Sequence, residues 1–230
     1  MATRYTTLVV VLAAAVVSLS CSNSPPKNIR DSCAIFSEKD DWYASAHESY
    51  EKWGVPVQVQ LAIIYQESRF VHDAKPPRRK LLWVIPWTRP SSAYGYGQIK
   101  DSTWDWYRDS TGNRWADRDD FEDVVDFIGW YASVSHRKLG ISKWDARAQY
   151  LAYHEGHTGF KDGRWRSRDK AWLRRAAAQV AEHATRYLQN TRLPLSSIAY
   201  MIGFNDASNF RRAYLKWTGR SPSEVRHGGG

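Results

Sequence analysis

The sequence predicts an all-α fold, and three observations carry that prediction. Apolar residues recur at helical spacing, capping and stop residues flank those runs, and no stretch shows a strand pattern of comparable strength. With 230 residues, the chain has room for one sizeable core and a small appendage.

The N-terminal stretch, MATRYTTLVVVLAAAVVSLSC, carries one positive charge at Arg4, an apolar run from Leu8 to Val17, and small residues before Cys21. The run is too short for an ordinary membrane span and reads as an export signal. Small residues followed at once by a cysteine resemble a bacterial lipoprotein signal, in which Cys21 would be acylated. Two details depart from that pattern: Ser18 stands three places before the cysteine where leucine is usual, and Leu19 comes one place late. A plain secreted chain cut nearby is the alternative. Under the lipoprotein resemblance, Ser22 after the cysteine implies a periplasmic protein anchored to the outer membrane. Residues 22–30, SNSPPKNIR, are polar and proline-bearing, as a tether requires. The other cysteine, Cys33, is expected to be a buried inert thiol, and two cysteines make neither a disulfide framework nor a metal site.

From Asp31 the pattern turns helical. Val57, Leu61, Ile64 and Tyr65 fall on one face of a helix ending near Glu67. Residues 71–94, VHDAKPPRRKLLWVIPWTRPSSAY, hold four prolines with Trp83 and Trp87, a length uncommon for a loop without a role. A substrate-facing lid, a membrane-surface contact and a plain surface excursion are the three readings. A second helix carries Phe121, Val125 and Ile128 on one face, acids early, His136, Arg137 and Lys138 late, and Gly140 as its stop. A third opens on Ser142 and Asp145, an S-x-x-D capping pattern, and aligns Trp144, Ala148 and Leu151. A fourth, KAWLRRAAAQVAEHATRYLQ, is rich in Ala and Arg.

A formal charge of +9 and a pI near 9.6 favour polyanionic partners: nucleic acid, anionic lipid or an acidic wall polymer. Twelve Trp and thirteen Tyr supply flat surfaces for sugars or bases, with core filling as the ordinary alternative, also for Trp104 and Trp106.

Glu67 follows directly on an apolar run, where it is either a solvated helix-end carboxylate or an acid set against a low-dielectric wall. Three short patterns in order bear on that choice: Glu67-Ser68-Arg69-Phe70, AYGYGQI at 93–99, and LAYHEG at 151–156. Together they resemble the lytic transglycosylases of the soluble-lytic-transglycosylase, lysozyme-like family, whose pattern is E-S-x-[FY], then G-[LM]-M-Q, then A-Y-N-x-G. The resemblance runs through nearly all of residues 31–190 and implies a lysozyme-like helical domain acting on peptidoglycan. It implies that Glu67 protonates the glycosidic oxygen and later acts as base, while the muramic acid C6 hydroxyl attacks its own anomeric carbon. A raised pKa would be needed, and Ile63, Ile64 and Phe70 are the apolar neighbours in sequence that could provide the wall.

By the same resemblance Tyr153 holds the catalytic carboxyl, Gln98 lines the glycan cleft, and Ser68 lies near acid and substrate. Two departures matter. Tyr96-Gly97 replaces Leu/Met-Met and should reshape one cleft wall, and His154 stands where asparagine is usual. Glu155 reads as a structural or cleft-rim carboxylate. The HEGH run at 154–157 spaces its histidines i, i+3 with Gly156 between them, not the i, i+4 of a zinc-protease helix, so neither metal nor cofactor is expected.

Residues 193–226 resemble something else, the second helix-turn-helix of the AraC/XylS transcription regulators. LSSIAYMIGF matches the first helix and turn, DASNFRRAYLKWTG the recognition helix, and SPSEVR the closing segment. That resemblance implies DNA contact by Ser208, Asn209, Arg211 and Arg212. Only one of that family's two units is visible. A fusion, a packing module with lost function, and a true DNA-binding element all remain open. The expected organisation is a signal at 1–21, a tether at 22–30, the transglycosylase domain at 31–190 and a half helix-turn-helix tail at 191–230.

Overall fold

The computed structural model describes residues 24–77, 80–81, 85–86, 91–189, 206–219 and 221–227. The signal with Cys21, the start of the tether and the first helix of the tail's helix-turn-helix lie outside the described residues. Among those residues there are nine α-helices: α1 Ser32–Glu38, α2 Asp40–Trp53, α3 Val57–Ser68, α4 Asp101–Thr111, α5 Phe121–Leu139, α6 Ala146–Lys161, α7 Ala171–Gln189, α8 Ala207–Thr218 and α9 Pro222–His227. Extended pairing among them is slight. Strands β1 Lys80–Leu81 and β2 Ile85–Pro86 pair antiparallel inside the long proline-bearing segment, and an isolated bridge joins Tyr94 to Ile99. The fold is all-α, as the sequence predicts.

Helix α3 is the centre. The sequence suggests a helix buried on one face, but Val57 to Tyr65 are buried without a break, Gln58 and Gln60 included. Val59, Ala62 and Ile63 complete an apolar circumference, which is the composition of a core helix rather than a surface one. Gln60 Nε2 donates to the Val55 carbonyl at 2.8 Å, one way a polar side chain is tolerated there. Helix α7 packs along α3 and against α6, while α2 packs along α5. Leu173, Ala177, Val180, Ala184 and Tyr187 place α7 in the same core.

Two expectations are corrected at the N-terminal side. The tether does not run free to residue 30: Pro26 is buried, Ile29 packs on the core, and its carbonyl accepts from the Tyr187 hydroxyl at 2.8 Å. Apolar Pro26 and Ile29 have surface to cover, so the chain docks before α1 begins. Cys33 is half-buried rather than buried, because Asp31 caps α1 and Ser32 and Ile35 take its inward positions.

The cap of α6 also differs. Asp145 is the N-cap and accepts from the Ala148 N–H at 2.9 Å, while Ser142 Oγ accepts from the Trp144 N–H. Trp144 therefore precedes the helix and does not share a helical face with Leu151. For α5 the expected ends hold, with His136 to Lys138 in the last turn and Gly140 left-handed at the stop, and the structure adds Asp120 as the cap; burial runs unbroken from Phe127 to Ser135 rather than along one face.

Candidate active site

Helix α3 carries Glu67 as its penultimate residue, and the chain then turns sharply. Arg69 and Phe70 both have positive φ, at 56° and 63°, unusual for side-chain-bearing residues. Phe70 is fully buried and stacks on Trp42 with centroids 5.9 Å apart, and that packing offsets the strain. The reversal leaves the Glu67 carboxyl facing a cleft of about 510 Å³.

The opposite wall comes from two helices. On α5, Phe127 and Tyr131 lie one turn apart; on α6, Tyr153 and His154 project from the adjoining face. The floor and rim come from the turn at 94–99 and from Pro76, Pro77, Lys100 and Thr103. Gly95 makes the turn possible, since its φ is 76° and a Cβ there would lie 1.8 Å from the Arg118 carbonyl oxygen. Gln98 lines the cleft, and its Nε2 donates to the Ala74 carbonyl at 2.8 Å and the Gly95 carbonyl at 3.1 Å.

The environment of Glu67 is what an acid catalyst needs. Its Oε1 is buried with no hydrogen-bond partner among the described residues. Desolvation raises the pKa from 4.5 to about 7, against a smaller lowering by the Tyr150 hydroxyl, which hydrogen-bonds the carboxyl. The C-terminal end of a helix dipole disfavours a carboxylate in the same direction. The apolar wall is not the expected one. Ile63, Ile64 and Phe70 belong to the closed core, whereas Ile99, Phe127, Tyr131 and Tyr153 line the cleft around Glu67.

Tyr153 lines the cleft and is close enough to Glu67 for the carboxylate to raise its pKa, but its hydroxyl donates to the Gly97 carbonyl at 2.6 Å. The hydroxyl bonded to the carboxyl is that of Tyr150, three residues earlier on the same helix. Sequence reasoning passed over Tyr150, although its i, i+3 spacing from Tyr153 was a usable signal.

Two other expected cleft residues lie elsewhere. Tyr96 is buried in an aromatic cluster with Trp42 and Phe121, at centroid distances of 5.7 and 5.8 Å. The residue that shapes the wall is Gly97, where a Cβ would lie 2.8 Å from the Tyr153 hydroxyl oxygen. Ser68 is buried against its own helix, donating to the Ile64 carbonyl at 3.3 Å, and takes no part in the lining. Trp104 is likewise a core residue, donating to the Ala116 carbonyl.

His154 and Glu155 both line the cleft. Glu155 is held by Lys170 Nζ at 3.0 Å and by His154 Nδ1 at 3.5 Å, with only 6% of its side chain exposed. It is a bracing carboxylate between α6 and the turn before α7. Gly156 breaks α6 with φ 73° and ψ 161°, and beyond it His157 stacks on Tyr131 and pairs with Ser135 at 2.9 Å. The two histidines of HEGH therefore serve different neighbourhoods.

The tail's expected contact residues are accessible. Ser208, Asn209, Arg211 and Arg212 are exposed on α8, while Phe210 and Tyr214 are buried on its other side. Asp206 caps the helix by accepting from the Ser208 and Asn209 N–H groups at 2.7 and 2.8 Å. Arg212 donates to Asn209 Oδ1 at 2.6 Å.

Comparison with known proteins finds two overlapping family matches. The family model for the transglycosylase SLT domain matches residues 9–193, and the chain belongs to that family. A model described as a helix-turn-helix domain matches residues 170–228, so the two overlap on α7. Over 43 residues the chain is 60% identical to the Ornithine utilization regulator of Pseudomonas aeruginosa. That match covers 19% of this chain and 13% of the regulator. No solved structure matches.

Proposed function

We propose that the protein is a peptidoglycan lytic transglycosylase that cleaves the β-1,4 bond between N-acetylmuramic acid and N-acetylglucosamine, leaving 1,6-anhydromuramoyl ends. One observation carries the reading. Among the described residues the cleft holds a single uncommitted acid, Glu67, poised near neutrality, while its other carboxylate, Glu155, is tied to Lys170 and His154. An ordinary glycosidase needs two working carboxylates. With one, the second nucleophile has to come from the substrate.

Protonated Glu67 gives its proton to the glycosidic oxygen as the bond to C1 breaks. The resulting carboxylate then takes the proton of the muramic acid C6 hydroxyl as that oxygen bonds to C1, so no water is consumed. Tyr150 holds the carboxyl, and Tyr153, fixed by Gly97, sets the wall beside it. Gln98 keeps its side-chain oxygen to accept from a glycan amide, since its NH₂ group serves its own turn. His154 lies at the rim. The sequence before residue 24 supports an exported, outer-membrane lipoprotein acylated at Cys21, which would deliver the cleft to its polymer in the periplasm.

The test is mass spectrometry of soluble products after the full chain acts on purified peptidoglycan. Anhydromuropeptides are expected from the parent and none from Glu67→Gln. Reducing ends from the parent would make it a hydrolase and overturn the reading.

A second reading, sequence-specific DNA binding, is favoured by the exposed quartet on α8 together with the match to a regulator. It predicts a salt-sensitive gel shift by the full chain, lost in the doubly substituted Arg211→Ala, Arg212→Ala protein. A salt-insensitive shift, or none, would remove it.

A further inference from the structure

Among the described residues the charges of the cleft do not cancel. Of the charged groups there that line it, Glu155 is paired with Lys170, and Glu67 is held largely as the neutral acid below neutrality. Lys100 remains. It is the N-cap residue of α4, its side chain makes no capping bond, and it is exposed at the cleft edge. No carboxylate among the described residues lies within ion-pair distance of it; the neighbouring Asp101 is taken by Arg118 at 2.7 Å.

Lys100 does have a cleft neighbour. It and His154 both line the cleft, and the His154 pKa is lowered chiefly by burial, with Glu155 acting the other way and the charges of Lys170 and Lys100 adding to the lowering. His154 therefore faces the cleft as a neutral group with hydrogen-bonding capacity, beside an uncommitted ammonium. Thr103, one turn into α4, adds a hydroxyl to the same edge.

An exposed ammonium at the lip of a groove, with a hydroxyl and a neutral ring on the same edge, can hold a carboxylate by charge and hydrogen bonding together. The glycan rings of peptidoglycan carry no charge of their own. The acids of the polymer are borne by the muramic acid, either as a free lactyl carboxylate or as carboxylates of the attached stem peptide.

We propose that Lys100, with His154 beside it, forms a carboxylate-recognition subsite that selects the acidic substituent of the muramic acid residue. The inference rests on the transglycosylase reading above, and it makes charge on the lactyl arm, rather than the sugar rings, the determinant of affinity at this edge.

The experiment measures binding without turnover, by calorimetry on the full chain carrying Glu67→Gln, with and without Lys100→Gln. Three soluble tetrasaccharides are compared: one with free lactyl carboxylates, the same compound with those groups converted to methylamides, and one bearing acidic stem dipeptides. A carboxylated form is expected to bind about fivefold more tightly than the methylamide, a difference that Lys100→Gln abolishes. Whichever arm shows the gap, lactyl or dipeptide, identifies the source of the carboxylate. Equal binding of all three overturns the subsite and leaves the transglycosylase reading standing, as does a gap that survives Lys100→Gln. Binding of none of them overturns both. Normal binding with no anhydro product from the parent overturns only the reaction.

Discussion

Helices α3 and α8 are both twelve residues long, yet they make opposite use of their surfaces. Helix α3 is buried around its whole circumference and exists to place one carboxyl at the edge of a cleft. Helix α8 buries Phe210 and Tyr214 and turns Ser208, Asn209, Arg211 and Arg212 outward. Those two aromatics, 5.6 Å apart, lie outside the main core, whereas every buried residue of α7 belongs to it. The comparison teaches which part of the chain α7 packs with. Although the two family models share residues 170–193, α7 packs on α3 and α6 in the main core.

The largest expected effect is on Glu67. Replacement by Gln should lower release of anhydro products by about a thousandfold or more, the scale of losing a general acid and base together. The same substitution has a signed effect on stability. The Glu67 pKa rises from 4.5 to about 7 on folding, so between those values the folded chain holds a proton that the unfolded chain has released. Stability from this group is complete below pH 4.5 and is lost as pH rises through about 7. Glu67→Gln is therefore expected to be more stable than the parent at about pH 8, by about 2–3 kcal/mol, with no such gain at about pH 4. Denaturant unfolding at the two pH values checks it.

A sharper contrast between core and tail comes from a pair of substitutions. Gly95→Ala forces a Cβ into the Arg118 carbonyl at positive φ and should cost about 3 kcal/mol or more in the main unfolding transition. Phe210→Ala should leave that transition in place while speeding amide exchange across residues 207–216. A common loss of protection in α3 and α8 would show instead that they unfold as one unit.

Smaller effects are expected within the cleft. Gly97→Ala pushes on the Tyr153 hydroxyl, and kcat should fall about tenfold with little change in Tm, read by product release and thermal unfolding. Tyr150→Phe removes the hydrogen bond that lowers the Glu67 pKa, so the alkaline limb of the pH–rate profile should move upward. An unmoved limb would mean that this hydroxyl does not hold the carboxyl.

Much of this was legible in the chain itself. The helix stop at Gly140, the turn at Gly95 and the break at Gly156 are local matters of φ, which single residues settle. The order of the three motifs carried Glu67, Gln98 and Tyr153 to the cleft because those residues depend on short-range geometry around fixed turns. What misled was periodicity. It finds the helix but not how many of its sides are covered, and so α3 read as one-faced.

The sequence by itself determined the all-α class, the transglycosylase motifs and the separate character of residues 193–226, since each resides in residue type and spacing along the chain. Tertiary structure alone decided which aromatic touches the acid. Tyr150 rather than Tyr153 bonds Glu67, Tyr96 turns into the core, and Phe127 and Tyr131 arrive from a helix about sixty residues away to remove water from Oε1. Desolvation is the sum over every element packed around a group, and it is set only when the chain has closed.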